Sequence, residues 1–490
     1  MINRKLLTLI SSMLPLISMA VTFDVDGLRY EILSQTDKTV EVAIIPKSIS
    51  YPSYSTYKGD YNIPASVDFN GVTYNVIGIG RNAFNECQSL GEITLPSSIQ
   101  YIGFGAFAYS NLRELTLPNG ILSIGAAAFR DCRNLTEFTI PESLIELEST
   151  VFYNCTQLQS VTILSRNLTN LPDDTFNNCI SLNNFLIPDG ITSIGSSVFM
   201  RTSSLENLSI PNSVSSIGMS CFYGSGITEI DIPDAVSELK GQMFRGCSKL
   251  QKIHLPANLS QLEKEMFRGC SSLETISIPN GITIIPSYCF NYCTALNKVY
   301  LPETLVAIHD DAFSYCSSLS QIDFPEGLET ISTQAFWGAK LANFTFPSTL
   351  KQVGGWAFGL GEISSLTLPA KLEKIGSYAF DDVTLTEVVA KNPIPVECEE
   401  NVFKNETYYG TLIVPYESLD AYKSTKPWNN FFTIKGEDFS SIMPNVMDKT
   451  NLQVVHYVNS AGLSSSTPFN GFNIVVFEDG SYKKLFLNNK

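Results

Sequence analysis

Residues 312–331 read AFSYCSSLSQIDFPEGLETI, and the same pattern recurs along most of the chain. Its most regular member is a phenylalanine that returns every 22 to 24 residues, at Phe84, Phe107, Phe129, Phe152, Phe176, Phe199, Phe222, Phe244, Phe267, Phe290, Phe313, Phe336, Phe358, Phe380 and Phe403. A period of this size indicates one supersecondary unit stacked many times, because such a unit buries its apolar face only against its neighbours. The sequence therefore predicts a solenoid, and its function is expected on an extended surface.

Each unit combines a strand, a second apolar pair and a short turn. Apolar and polar residues alternate up to Ile322 and Phe324, which is the period of a half-buried strand. Pro325 then ends the strand, because proline has no N–H to donate. Leu328 and Ile331 predict the opposite wall of the coil, and the Ala-Phe-x-x-Cys segment indicates a short helical or 3-10 turn.

This unit resembles the BspA-like class of leucine-rich repeats, which occurs in surface and secreted proteins of Bacteroidetes. The resemblance covers roughly residues 80–390. It implies a leucine-rich repeat solenoid of the α/β class, dominated by β-structure: a right-handed coil of about 14 repeats with a parallel β-sheet on its concave face and short helical or 3-10 turns elsewhere. One unit departs from the pattern, because Ser165 replaces the proline between Phe152 and Phe176, and we expect a local bulge or a change of curvature there.

Composition excludes several classes of function. The formal net charge is −16 and the isoelectric point is about 4.7. Nucleic-acid binding and polybasic membrane binding both need clustered Lys and Arg, so neither is expected. Only three histidines are present, which makes a multi-histidine metal site improbable on composition, and we expect neither a metal nor a cofactor.

Eight of the eleven cysteines share one repeat position, three residues after the phenylalanine: Cys87, Cys132, Cys155, Cys179, Cys247, Cys270, Cys293 and Cys316. Adjacent rungs would meet the Cα distance that a disulfide needs. Because the cysteines form continuous columns rather than isolated pairs, we favour buried free thiols that fill small gaps. Zinc binding is a weaker alternative, since no C-x-x-C or Cys/His spacing is present.

The chain divides into five predicted segments. Residues 1–20 have the basic start, the short apolar stretch and the small residues of a signal peptide, with cleavage after Ala20, so we expect a secreted or outer cell-surface protein that is not an integral membrane protein. Residues 21–79 are predicted to form an N-terminal β cap, 80–390 the solenoid and 391–439 a C-terminal cap. Residues 440–490 alternate like three short strands and resemble a C-terminal sorting domain, with an ordinary small β module as the alternative.

One position in each predicted strand should point outward. Rung by rung it is Thr94, Thr116, Thr139, Thr162, Leu186, Ser209, Asp231, His254, Ser277, Tyr300, Asp323, Thr345, Thr367 and Val389. Threonine suits an exposed strand, so the threonine-rich flanks are equally well explained by β-propensity. The varied middle, Asp231, His254, Ser277, Tyr300 and Asp323, is the candidate binding site, with Tyr300 as anchor because aromatic residues dominate binding hot spots.

These observations favour a protein that binds other proteins or mediates adhesion. The family resemblance implies host matrix proteins or other bacterial cells as partners. The alternative is a glycan-binding or scaffold subunit, since a hydroxyl-rich ladder could also meet saccharides. A hydrolase is third: Asp231, His254 and Ser277 fall in a hydrolase-like order, but parallel side chains on a flat sheet rarely converge.

Overall fold

The structure is a computed structural model that describes residues 21–439, except positions 49 and 343, together with four strands between 454 and 487. The predicted signal peptide lies outside the described residues. By its internal contacts the described chain divides into two compact units, with the boundary between residues 435 and 436.

The first unit begins with short, mostly antiparallel strands: Thr22–Val25, Leu28–Ser34, Thr39–Ala43, Pro46–Ser48, Tyr51–Ser55, Gly59–Asn62, Ser66–Phe69 and Val72–Ile79. The first two form a hairpin around Asp26 and Gly27, both of which have positive φ. Val42 pairs in parallel with Ile79, and Ile79 with Ile102, so this sheet continues directly into the first repeats.

The repeats form two parallel ladders. We call the ladder that carries the fourteen outward positions the ladder face; its strands are Leu90–Thr94, Glu137–Ile140, Ser160–Ile163, Asn184–Phe185, Glu229–Asp231, Lys252–His254, Thr275–Ser277, Lys298–Tyr300, Ser365–Leu368 and Glu387–Ala390. The predicted opposite wall is the second ladder, called the back face, with strands Tyr101–Ile102, Ser123–Ile124, Glu146–Leu147, Asn170–Leu171, Ser193–Ile194, Ser216–Ile217, Ile284–Ile285, Ala307–Ile308, Thr330–Ile331, Gln352–Val353, Lys374–Ile375 and Glu397–Cys398. The structure confirms the β-dominated solenoid and has about 16 turns, close to the predicted 14.

The fifteen phenylalanines form one continuous column through the interior. Successive ring centroids are 5.1–5.9 Å apart, and successive ring planes differ by 1–18°. Tyr57 packs against Phe84 at one end of the column, and Trp428 and Phe431 pack against Phe403 at the other. Aromatic side chains of the two ends therefore cover the terminal rings, which would otherwise expose apolar surface.

The segment around each phenylalanine forms the third side of the coil, which we call the turn face. In the rung of Phe290, the N–H groups of Tyr288, Phe290 and Tyr292 donate to carbonyls of the next rung, at 2.8–3.0 Å. The N–H groups between them donate to carbonyls three residues earlier, as in a 3-10 turn. Tyr288 and Tyr292 have φ of 60° and 62°, and these left-handed residues recur two before and two after the phenylalanine in most rungs.

The cysteine column has a hydrogen-bonding role. All eleven cysteines are free thiols, and the eight column members are buried. From Cys132 onward each column thiol donates to the carbonyl of the phenylalanine in the preceding rung, at 2.9–3.1 Å, as Cys270 does to Phe244. Burial raises the pKa of Cys132 to about 12 and that of Cys247 to about 11, which keeps these thiols protonated as donors.

The irregular unit is accommodated outside the strand. Ser160–Ile163 pairs with both neighbouring strands without a register shift, so the expected bulge is absent from this strand. Ser165 is buried and its hydroxyl donates to the carbonyl of Leu144 at 2.6 Å. The back-face ladder is interrupted here instead, because Glu146–Leu147 and Asn170–Leu171 belong to different sheets.

The C-terminal part of the first unit contains the strand Thr411–Pro415, the α-helix Leu419–Ser424 and the 3-10 helices Asn405–Tyr409, Tyr416–Ser418 and Trp428–Asn430, and the strand Thr433–Glu437 crosses its end at residue 435. Trp428 is fully buried and donates its indole N–H to the carbonyl of Val396. The second unit has the antiparallel strands Val454–Asn459, Ser464–Ser465, Gly471–Phe477 and Tyr482–Leu487. The pair Asp479–Gly480, which is typical of a tight hairpin turn, lies outside the described residues.

Candidate functional site

The ladder residues lie where the alternation of the strands predicts them. Thirteen of the fourteen are exposed and Val389 is half-buried. Their neighbours in the strand, such as Ile230 and Ile276, are buried under the sheet. Strand periodicity therefore separates an outward-facing surface from the core at every rung.

Four of the five candidate residues line one groove on the ladder face. The groove has a volume of about 640 Å³, and Asp231, His254, Ser277 and Tyr300 line it from four successive rungs. Parallel pairing aligns Asp231 with His254 and Ser277 with Tyr300. Asp323 is exposed on the next rung but does not line the groove.

Charged side chains of both signs flank the groove. Glu229 and Lys252 stand two residues before Asp231 and His254 and form an ion pair of 3.2 Å. The ammonium nitrogen of Lys298 lies 4.7 Å from the ring centroid of Tyr300, a cation–π contact that orients the ring. Tyr300 is 52% exposed, so much of its surface remains accessible to a partner.

The hydrolase-like order of residues does not become a catalytic arrangement. Among the described residues, no hydrogen bond joins the side chains of Asp231, His254 and Ser277. Nucleophilic catalysis requires the base within hydrogen-bond reach of the hydroxyl and a third group that orients the base. The three side chains instead project in parallel from adjacent strands, which suits contact with a surface.

Sequence reasoning missed two sets of residues around this site. Glu229, Lys252 and Lys298 form a second outward column of the groove region, and the same alternation that indicated Asp231 could have indicated them. The left-handed residues of the turn face were also missed. Their signal was the recurrence of Gly, Asn and Asp two residues after the phenylalanine, as at Gly246 and Asn178.

Two absences in the described part of the chain concern membranes and metals. No helix there is both long and apolar enough to span a bilayer. No group of three or more His, Cys, Asp or Glu side chains in the same part is placed to hold a metal ion.

Known protein families and structures give consistent matches. Residues 65–183, 169–297 and 283–409 match the model of the BspA type leucine-rich repeat region, with six copies. Among curated proteins, none matches this chain.

A crystal structure of a leucine-rich repeat protein from Bacteroides ovatus is 28% identical, with a TM-score of 0.61, and the match covers 74% of this chain and 99% of that one. A leucine-rich cell surface protein from Faecalibacterium prausnitzii is 20% identical, with a TM-score of 0.43 and coverage of 86% and 96%. The pneumococcal vaccine antigen PcpA is 17% identical, with a TM-score of 0.44 and coverage of 86% and 99%.

Proposed function

We propose, because the chain belongs to the BspA-type leucine-rich repeat family, that it is a secreted or surface-attached bacterial protein that binds another protein through its ladder face. The partner class is a host extracellular matrix protein or a surface protein of another bacterium. The observation that carries this proposal is the groove that Asp231, His254, Ser277 and Tyr300 line together.

The composition of the groove supports a protein partner. Ile230, Ile253 and Ile276 form an apolar floor between exposed polar side chains. An apolar centre with a polar rim is the usual anatomy of a protein interface. Tyr300 offers a large amphipathic ring at a small entropic cost, which is why tyrosine recurs in hot spots.

The charged side chains beside the groove favour a partner with a matching pattern of charges over one attracted only by net charge. Glu229 lies directly beside Lys252, and Asp231 follows on the same face of the strand as Glu229, so charges of both signs lie on neighbouring side chains. A partner must match this alternation, because like charges placed opposite each other cost binding energy. Tyr300 is the one aromatic side chain in the groove lining, whereas saccharide stacking would use several aromatic platforms.

The test is a binding screen of the purified full chain against immobilised matrix proteins and immobilised glycans. The triple variant Asp231→Ala/His254→Ala/Tyr300→Ala should weaken binding to a protein hit by at least about tenfold, because a hot-spot side chain contributes about 2 kcal/mol or more. Thr94→Ala/Thr116→Ala/Thr139→Ala is the matched control, with three substitutions on the same face but at the other end of the ladder.

Retained binding in the triple variant would contradict a site at this groove. A glycan hit that the triple variant loses would replace the protein partner with a saccharide. Thermal melting of each variant separates loss of the site from loss of the fold, and the exposure of the substituted side chains predicts unchanged melting.

A further inference from the structure

Six aromatic side chains gather on the turn face in the C-terminal half of the solenoid. We call them the aromatic band: Tyr288, Tyr292, Tyr315, Trp337, Trp356 and Tyr378. Tyr292 stacks on Tyr315 with ring centroids 4.6 Å apart, and Trp356 stacks on Tyr378 at 5.0 Å. All six are half-buried or exposed, and the third tryptophan of the chain, Trp428, is fully buried.

The backbone does not favour aromatic residues at these positions. Tyr315, Trp356 and Tyr378 have φ of 60°, 53° and 58°. This left-handed region is unfavourable for bulky side chains, and equivalent positions in other rungs hold Asn178 or Asn401. Residues kept in a costly conformation indicate a role for the side chain itself, and such residues cluster at binding sites.

Elsewhere on the turn face, aromatic rings carry a cation from the same chain. Arg130 lies between two rings, 4.7 Å from the centroid of Tyr153 and 5.8 Å from that of Tyr109. Arg81 lies over Phe104 at 4.2 Å, and Arg245 lies over Tyr223 at 5.8 Å. A cation over an aromatic ring is thus the recurrent arrangement of this face.

The aromatic band largely lacks such partners. Tyr288 has Lys264 and Arg268 beside it, but within the described residues no cation lies over Tyr315, Trp337, Trp356 or Tyr378. All ten arginines of the chain lie at or before Arg268. Two of these rings pack against glycines of the next rung, since a Cβ at position 338 would lie 3.3 Å from the ring of Tyr315 and one at position 359 would overlap the ring of Trp337.

The repeats that carry the band are rich in acidic residues. Residues 300–410 contain fifteen Asp and Glu against six Lys and no Arg. The two lysines of this region that lie nearest the turn face are occupied, since Lys340 pairs with Glu362 at 3.4 Å and Lys404 with Asp382 at 2.8 Å. The field around the band therefore attracts cations and repels anions.

We propose that the aromatic band is a docking surface for an arginine- and lysine-rich segment of another protein. The guanidinium or ammonium groups of the partner contact the exposed parts of the rings of Trp337, Trp356 and Tyr378, as Arg130 contacts Tyr109 and Tyr153. Carboxylates such as Asp310 and Asp381 supply the opposite charge. The surface lies on a different side of the coil from the ladder-face groove, so the two proposals stand or fall separately.

The test is a fluorescence titration of the full chain with a nine-residue peptide that alternates arginine and serine. Trp337 and Trp356 report on the band, and the peptide should quench their emission saturably. The double variant Trp356→Asn/Tyr378→Asn should weaken binding about tenfold, because two cation–π contacts together contribute on the order of 1.4 kcal/mol. Both substitutions preserve net charge and place asparagine where Asn401 already adopts the same φ.

Tyr109→Asn/Tyr153→Asn is the matched control, because it removes two aromatic rings of the same face whose cation, Arg130, belongs to the chain. It should leave the affinity unchanged. Equal weakening in both double variants would overturn the proposal, since the loss would then be unrelated to the band. Equal binding of a peptide with glutamate in place of arginine would also overturn the proposal. The same holds if neutral oligosaccharides quench the emission and the arginine peptide does not.

Discussion

The phenylalanine column makes a quantitative prediction about stability. Phe244 is fully buried near the middle of the column, with ring centroids 5.4 Å from both Phe222 and Phe267. Phe244→Ala removes the ring from two stacks and leaves a cavity between rigid neighbours. Backbone hydrogen bonds from Phe244 to Met266 and from Gly246 to Arg268 hold the adjacent rung in place, so the site cannot collapse readily.

We therefore expect Phe244→Ala to lower the free energy of unfolding by about 3–5 kcal/mol, the cost of emptying a buried aromatic site. The measurement is urea unfolding followed by circular dichroism, with the same protein concentration and buffer for each variant. Phe432→Ala is the matched control, because Phe432 is 87% exposed and should change stability by less than about 0.5 kcal/mol.

The position of Phe244 sharpens the test. In a stacked repeat array each unit contacts only its neighbours, so a central defect should split the transition or broaden it as well as shift it. If Phe244→Ala and Phe432→Ala unfolded at the same urea concentration with the same slope, the stacking of the column would not be what stabilises the solenoid.

Two further predictions concern titratable groups. The column thiols should not react with a thiol-specific reagent in the native chain and should all react in urea, because burial raises the pKa of thiols such as Cys132 and Cys247; rapid native reaction would contradict their burial. Burial also raises the pKa of Glu41, which accepts a hydrogen bond from Tyr101, to about 7. The stabilisation that this carboxyl contributes is therefore complete below about pH 4.5, decreases as the pH rises and is lost above about pH 7. The free energy of unfolding falls by at most about 3 kcal/mol over this interval. Thermal melts at pH 5 and pH 8 should show this loss in the native chain and a flatter profile in Glu41→Gln, and parallel profiles would argue against the assignment.

Much of the fold could be predicted because each repeat carries its own signals. The spacing of the phenylalanines, the alternation up to Phe324 and the proline after it are local features, and the stacked units repeat them with the same result. The ladder residues follow from the same alternation, which by itself places Asp231, His254, Ser277 and Tyr300 on one face.

Hydrogen bonds between rungs were harder to predict, because they depend on how one unit stacks on the next. The sequence indicated that buried thiols fill small gaps at the cysteine position, but not that the thiol of Cys270 donates a hydrogen bond to the carbonyl of Phe244. The unit of Ser165 predicts a local bulge or a change of curvature, whereas the Ser165 hydroxyl reaches a carbonyl of the neighbouring rung and the strand Ser160–Ile163 has no bulge.

By itself, the sequence determined the repeat, the buried column and the outward ladder, because burial in a strand follows a period of two that is written into each unit. Only the tertiary structure decided which outward residues share a groove and which aromatic rings of the turn face have a cation. Those relations join residues some 23 positions apart, as Arg130 and Tyr153 are, and they depend on the left-handed backbone at residues such as Trp356. Contacts of that kind arise from stacking, and local periodicity does not encode them.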